Sequence, residues 1–180
     1  MQKTAKFPTR RLVLDAILIS IYVLLGYFKI PIGNILRVNM APFAVVICAI
    51  TFGPVDGLIV GFLGEFLSQI LGPYGLTPTT VLWALPEAVR GLTLGLAMLM
   101  LRKKDRGILL QLVACIITGI LASLFNTFAL YVDSKMFGYY TYYMVFGILL
   151  VRLGMAVVIS GLFGYIAQSI ITPLRRNKLI

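Results

Sequence analysis

The stretch that decides the fold is Thr77–Met100, TPTTVLWALPEAVRGLTLGLAMLM, an apolar run long enough to cross a bilayer. It contains Glu87 and Arg90, and an ionised group at the bilayer centre costs about 2.5 to 3.5 kcal/mol on insertion scales. The two residues are three apart and share a helix face, so each partly neutralises the other. Pro86, beside them, frees a backbone carbonyl of the preceding turn. This pattern favours a polar pocket that faces a ligand; the alternative is an ion pair that only locks helices together.

The composition indicates an integral membrane protein. The chain has 180 residues, of which 60% are hydrophobic and 12% are charged, and its apolar runs exceed what a soluble core needs. A span takes roughly 20 residues, so the length gives room for one domain of about six spans. We therefore predict an all-α protein with a single transmembrane domain over 1–180 and six transmembrane helices, at about 12–28, 40–52, 55–71, 79–101, 107–131 and 144–171.

The positions of the basic residues predict the topology. The net charge of +10 is also found in nucleic-acid-binding proteins, but here the charges stand at the ends of spans. Eleven of the 16 Lys and Arg precede the first helix, follow the fourth or close the chain. The predicted outer loops hold only Lys29, Arg37 and Lys135, while Arg90 and Arg152 lie within spans. The positive-inside rule then places both termini in the cytoplasm, and no nucleic acid partner is expected.

Glycine and proline mark the connections and one packing surface. The third predicted helix carries Gly57, Gly61 and Gly64, a stripe that lets another helix approach closely. Segments rich in Gly, Pro or polar residues are predicted as outer loops: 29–39, 72–80 and 132–143.

Several kinds of chemistry lack the residues they need. Cys48 and Cys115 stand in apolar runs, where a cysteine is typically a small buried hydrophobe. The chain has no histidine and no nucleotide-binding glycine loop, so we expect no metal, no cofactor and no ATP hydrolysis by the chain itself. Glu65 and Glu87 could in principle form an acid and base pair, but nothing marks a reaction. We expect that the protein is not an enzyme.

Polar residues from several spans converge in one half of the membrane. At about 1.5 Å per helical residue, they fall at similar depth in the outer half, whereas the inner half is predicted to be almost wholly apolar. Such a distribution predicts a binding cup open to the outside, and a channel would need polar lining along its whole length. The candidate ligand-binding residues are Arg37, Asn39, Glu65, Gln69, Tyr74, Trp83, Glu87, Arg90, Asn126 and Arg152.

The order of several motifs resembles a known family. They are Arg10-Arg11 before the first helix, Ala16-x-x-x-Ser20 within it, Arg37 before Pro42, Phe52-Gly53-Pro54, the glycine-striped third helix ending in Glu65, and Asn126-Thr127. Together they resemble the substrate-binding S component of energy-coupling factor (ECF) vitamin transporters, and are most similar to the folate branch. The loop GPYGLTPTT and the following LWALPEAVRG differ from the usual folate-branch sequence, as does serine at position 20, where alanine is common.

The resemblance implies a function and partners. Such a component, in the plasma membrane of a prokaryote, captures a vitamin from outside and associates with a coupling membrane protein and two ATPases. The small residues Ala16 and Ser20 would face the coupling protein. A folate-like ligand is favoured, because Arg37, Arg90 and Arg152 would meet its carboxylates. Cobalamin comes next, and pantothenate or a modified nucleobase stays open, since acidic residues offset much of the positive charge.

A different class of function is the alternative. A self-sufficient secondary transporter or small channel would also be a compact bundle of apolar helices. The two classes differ in what transport requires, and the predicted apolar inner half favours the S component.

Overall fold

The computed structural model describes residues 9–32, 36–73, 75–101 and 108–176, with the backbone alone for residues 29–32, 36–37 and 174–176. Six α-helices occur in this described part of the chain. They are α1 (Thr9–Tyr27), α2 (Pro42–Thr51), α3 (Pro54–Ile70), α4 (Thr80–Leu101), α5 (Ile108–Met136) and α6 (Leu149–Arg176). A π-helical turn, Tyr143–Gly147, precedes α6.

The segment between α1 and α2 differs from its prediction as a loop. It contains two antiparallel strands, β1 (Lys29–Ile32) and β2 (Leu36–Asn39), with Ile30 opposite Val38. Gly and Asn at the centre of the segment are turn residues, and such residues serve hairpins as well as open loops. The extended hairpin brings Asn39 to the start of α2, where its Oδ1 accepts a hydrogen bond of 2.9 Å from the backbone N–H of Ala41.

The end of α5 and the start of α6 also differ from prediction. The polar run after Tyr131 was expected to be a connection, but α5 continues to Met136. Asp133 is buried there, where it accepts hydrogen bonds from the hydroxyls of Thr79 and Tyr139. These partners offset the cost of burying a carboxylate, so the helix need not end at the polar residue.

Glycines allow α3 and α4 to pack backbone against backbone, as the predicted stripe requires. A Cβ added at Gly57 would lie 2.7 Å from the carbonyl oxygen of Gly91, and one added at Gly61 would collide with the backbone of Glu87. Gly64 instead faces the ring of Tyr22 on α1. Between α2 and α3, Gly53 adopts a φ of 109°, which favours glycine, and Pro54 begins α3.

Within the described residues, three segments are long and apolar enough to cross a membrane: Thr80–Leu101, Ile108–Met136 and Tyr143–Pro173. The other helices fall short for separate reasons. Charged side chains occupy the first two turns of α1, whereas α2 and α3 have only 10 and 17 residues.

The largest buried cluster joins α2, α4, α5 and α6. It includes Cys115, which has a free thiol, as does the buried Cys48. Its other members are Val46, Ala49, Ile50, Leu94, Met98, Ala114, Phe163, Ala167 and Ile171.

Candidate functional site

A cavity of about 250 Å³ lies among the helices and the hairpin. Each of the six helices and β2 contributes to its wall. The lining residues are Tyr22, Val38, Asn39, Pro42, Glu65, Trp83, Pro86, Glu87, Arg90, Ala122, Ser123, Asn126, Arg152, Met155, Ala156, Ile159, Ser160 and Phe163.

The cavity brings together most of the side chains predicted to bind a ligand. Seven of the ten line it: Asn39, Glu65, Trp83, Glu87, Arg90, Asn126 and Arg152. Gln69 stands behind the wall, where its Nε2 donates a hydrogen bond of 2.7 Å to Glu65 Oε1. The backbone of Arg37 lies in β2, while its side chain and the whole of Tyr74 lie outside the described residues.

Glu87 and Arg90 form the ion pair expected from their spacing on α4. Arg90 Nε lies 3.4 Å from Glu87 Oε2, and each side chain is 12% exposed. The contact is within ion-pair distance, yet neither atom makes a hydrogen bond with the described residues. The pair therefore keeps hydrogen-bonding capacity on the wall of the cavity.

Arg152 is held at the start of α6 by the turn that precedes it. Its Nη2 donates a hydrogen bond of 3.0 Å to the carbonyl oxygen of Met144. Its Nη1 is buried and has no hydrogen-bond partner among the described residues. The π-helical turn thus orients the guanidinium through Nη2 and leaves Nη1 without a partner among the described residues.

Glu65 has protein donors at both oxygens. In addition to the Gln69 bond, Tyr22 Oη donates to Glu65 Oε2 over 2.6 Å. The two acidic residues of the cavity therefore differ: Glu65 is fixed by side chains of α1 and α3, whereas Glu87 Oε2 has its ion-pair contact with Arg90 but no hydrogen bond among the described residues.

The match to a family model decides the class of this chain. Residues 10–174 match the family described as "ECF transporter, substrate-specific component". The chain belongs to this family. That family is a transporter component and not a family of enzymes. A comparison with curated proteins returns no significant match.

Two solved structures share the fold. The S component of a bacterial ECF transporter has 20% sequence identity and a TM-score of 0.68, over 92% of this chain and 98% of that chain. The S component for biotin from an ECF-type ABC transporter has 14% identity and a TM-score of 0.64, over 96% of this chain and 95% of that chain. At these identities the likeness concerns the fold alone.

In this ECF S component, the two residues predicted to face a partner lie on the outside of α1. Ala16 and Ser20 are both exposed, and Ser20 Oγ donates a hydrogen bond of 2.9 Å to the carbonyl oxygen of Ala16. That bond directs the hydroxyl back to its own helix, so only small side chains are presented at these two positions.

The end of the bundle away from the cavity is more polar than predicted. Asp15 and Asp56 are buried there, at 4% and 0% exposure. Arg11 donates hydrogen bonds to Asp56 Oδ2 and to the carbonyl oxygen of Phe52, which ties α1 to the start of α3. The sequence analysis predicted this half of the bundle to be almost wholly apolar and did not consider these two acids.

Sequence reasoning also missed several polar members of the cavity wall. Tyr22, Ser123 and Ser160 line the cavity but carry no charge. A signal for Tyr22 was present, since Arg11, Asp15 and Tyr22 recur at spacings of four and seven on one face of α1. No group of three or more metal-ligating side chains occurs among the described residues.

Proposed function

We propose that this S component captures a folate-like vitamin outside the cell and delivers it to an ATP-driven coupling module. One observation carries the proposal. Glu87 Oε2, Arg90 Nε and Arg152 Nη1 are buried, lack hydrogen-bond partners among the described residues, and belong to side chains that line one cavity. A ligand in this cavity can therefore add hydrogen bonds to these charged side chains, and a hydrogen bond to a charged group contributes about 1.5 to 3 kcal/mol.

The donor and acceptor pattern supports a ligand with an anionic group and an N–H edge. Arg90 and Arg152 offer charged donors, which suit a carboxylate, and Glu87 offers an acceptor for a ring N–H. Trp83 and Phe163 supply aromatic surface on the same wall. A vitamin that joins a planar heterocycle to carboxylates, as folate does, uses all three features.

The size of the cavity favours folate over cobalamin. Ligand pockets commonly measure about 300 to 1,000 Å³, and this cavity, at about 250 Å³, lies below that range. Cobalamin is the largest of the candidate vitamins and suits a cavity of this size least. Biotin, a smaller carboxylate vitamin, is a further candidate, because one of the two similar structures is a biotin S component.

The proposed topology has six spans with both termini in the cytoplasm and the cavity facing outward. The distribution of Lys and Arg supports it. Because the sequence holds no nucleotide-binding loop, the energy for release would come from a coupling membrane protein and its two ATPases, which Ala16 and Ser20 would face.

Titration of the purified protein in detergent tests this proposal. Calorimetry with folic acid, biotin and cobalamin in parallel reports affinity, and fluorescence reports contact with Trp83, the only tryptophan. We expect saturable binding of folic acid with a change in Trp83 emission. Saturable binding of cobalamin alone would contradict the ligand class, and binding of none of the three would contradict vitamin capture.

A further inference from the structure

Tyr22 is the point at which α1 reaches the cavity. Among the described residues of α1 it alone lines the wall, and its side chain is fully buried. The base of the ring lies against Gly64 of α3, where an added Cβ would come within 2.7 Å of Tyr22 Cγ. The ring therefore has little free space towards α3.

The hydroxyl of Tyr22 is hydrogen-bonded to Glu65, a residue that a ligand in the cavity would meet. It donates to Glu65 Oε2 over 2.6 Å, and Glu65 lines the cavity. Gln69 donates to the other carboxylate oxygen. A ligand N–H that donates to Glu65 Oε2 would share this acceptor with Tyr22 Oη and weaken the bond that ties α1 to α3 at this level.

The opposite end of α1 has a separate anchor. Arg11 binds Asp56 and the carbonyl oxygen of Phe52, and neither of these residues lines the cavity. The exposed Ala16 and Ser20 lie between the two anchors on the outer side of the helix. A change at the Tyr22 anchor alone would tilt α1 about the Arg11 anchor and shift this surface.

We infer that Tyr22 is a positioning residue: through its hydrogen bond to Glu65, ligand occupancy sets the position of the Ala16–Ser20 surface of α1. The inference rests on the proposed function and specifies how it is regulated. By thermodynamic linkage, a partner bound to that surface would change ligand affinity by the same factor as the ligand changes partner affinity.

A label on α1 tests the inference. Cys48 and Cys115 are both buried, so a Ser20→Cys variant carries one accessible thiol among the described residues for a spin label or a fluorophore. Folic acid is added to saturation, as judged by calorimetry on the same sample. We expect the label signal to shift in Ser20→Cys and to stay constant when Tyr22→Phe is added.

The matched control is Tyr27→Phe on the same helix. Tyr27 is exposed and donates over 3.4 Å to the carbonyl oxygen of Leu71, away from the cavity wall, so its removal should preserve the shift. Glu65→Gln provides a second variant, because it replaces one acceptor oxygen by an NH2 donor, so that Tyr22 and Gln69 can no longer each donate to an oxygen of their own; it should reduce the shift even if Tyr22→Phe does not fold.

The outcomes separate the two proposals. If folic acid binds to Ser20→Cys but the label does not respond, or responds equally with Tyr22→Phe, the positioning role is wrong. Loss of all folic acid binding in Tyr22→Phe would make Tyr22 a direct ligand contact instead. If folic acid gives no heat with the wild-type protein, the proposed function fails first.

Discussion

Arg152 lines the cavity, and one nitrogen of its guanidinium is already hydrogen-bonded within the protein. The bond from Nη2 to the carbonyl oxygen of Met144 fixes the side chain, and the buried Nη1 is unpaired among the described residues. Fixing the group before the ligand arrives lowers the entropy lost on binding. Arg152 is thus a preorganised donor for an anionic group.

Replacing this donor should weaken ligand binding with little effect on the fold. We expect Arg152→Ala to lower the affinity for folic acid by about 1.5 to 3 kcal/mol, the range for a hydrogen bond to a charged group, which is roughly tenfold or more in Kd. Calorimetry provides the measurement. The control is Lys135→Ala, which removes a cation that stacks on Tyr140 outside the cavity; an equal loss in both variants would contradict a direct contact.

Arg90 differs from Arg152 because it also compensates Glu87. We expect Arg90→Ala to destabilise the protein by about 3 kcal/mol, since removal of one partner leaves the other charge buried. Adding Glu87→Gln should restore much of that stability, because the remaining group is then neutral. Thermal unfolding in detergent measures both effects. If the double variant is less stable than Arg90→Ala, the pair does not account for the loss.

At the scale of helices, the contact between α3 and α4 depends on residues without side chains. We expect Gly91→Ala to lower the unfolding temperature or prevent folding, because its Cβ would collide with the carbonyl oxygen of Gly57, and backbone atoms cannot rotate away. The control is Gly154→Ala in α6, where an added Cβ meets nothing within 4 Å. That variant should be neutral or gain up to about 1 kcal/mol of helix propensity. Equal unfolding temperatures for the two variants would show that the close contact is not limiting.

The outer surface of α1 allows a test of partner binding. We expect Ala16→Trp or Ser20→Trp to abolish copurification with the coupling protein while folic acid still binds, because close helix approach needs small side chains. Val158→Trp, on an exposed part of α6, is the control for bulk on a membrane-facing helix and should assemble normally. Copurification of the Ala16 and Ser20 variants would show that the partner binds elsewhere.

The apolar runs and glycine spacing that indicated helices in the sequence act locally, and the six α-helices lie near the predicted spans. The sequence was insufficient at the end of α5, where Asp133 remains helical because Thr79, distant in sequence, donates to it. The hairpin was missed for a different reason: its strands, residues 29–32 and 36–39, have four residues each and are too short to show an alternating pattern. At Asp133 a partner distant in sequence decides the local structure, so the local sequence pattern alone was ambiguous.

The candidate site, like the fold, was predictable from the sequence only in part. Glu87 and Arg90 were predictable as a pair because three residues on a helix bring them to one face. Their convergence with Glu65 and Arg152 followed from depth alone. The spacing of Arg11, Asp15 and Tyr22 marks one face of α1, but that this face turns to the cavity could be seen only from the packing of Tyr22 on Gly64, since the periodicity of a helix does not say which neighbour its polar face meets.

At the scale of the whole molecule, two sets of polar groups among the described residues lie apart from each other. One set lines the cavity, and the other, around Arg11 and Asp56, ties α1 to α3 at the opposite end. The apolar cluster that contains Leu94 and Phe163 joins α2, α4, α5 and α6. On the proposed function, the ligand would be held at the cavity end, and the coupling module would supply the energy for its release.

Uptake by liposomes that contain this chain alone tests that account most directly. With labelled folic acid outside and an imposed ion gradient, we expect binding no greater than the amount of protein and no accumulation inside. Addition of an ECF coupling module and ATP should then produce accumulation. Accumulation driven by the ion gradient in liposomes with this chain alone would contradict the account and identify a self-sufficient transporter.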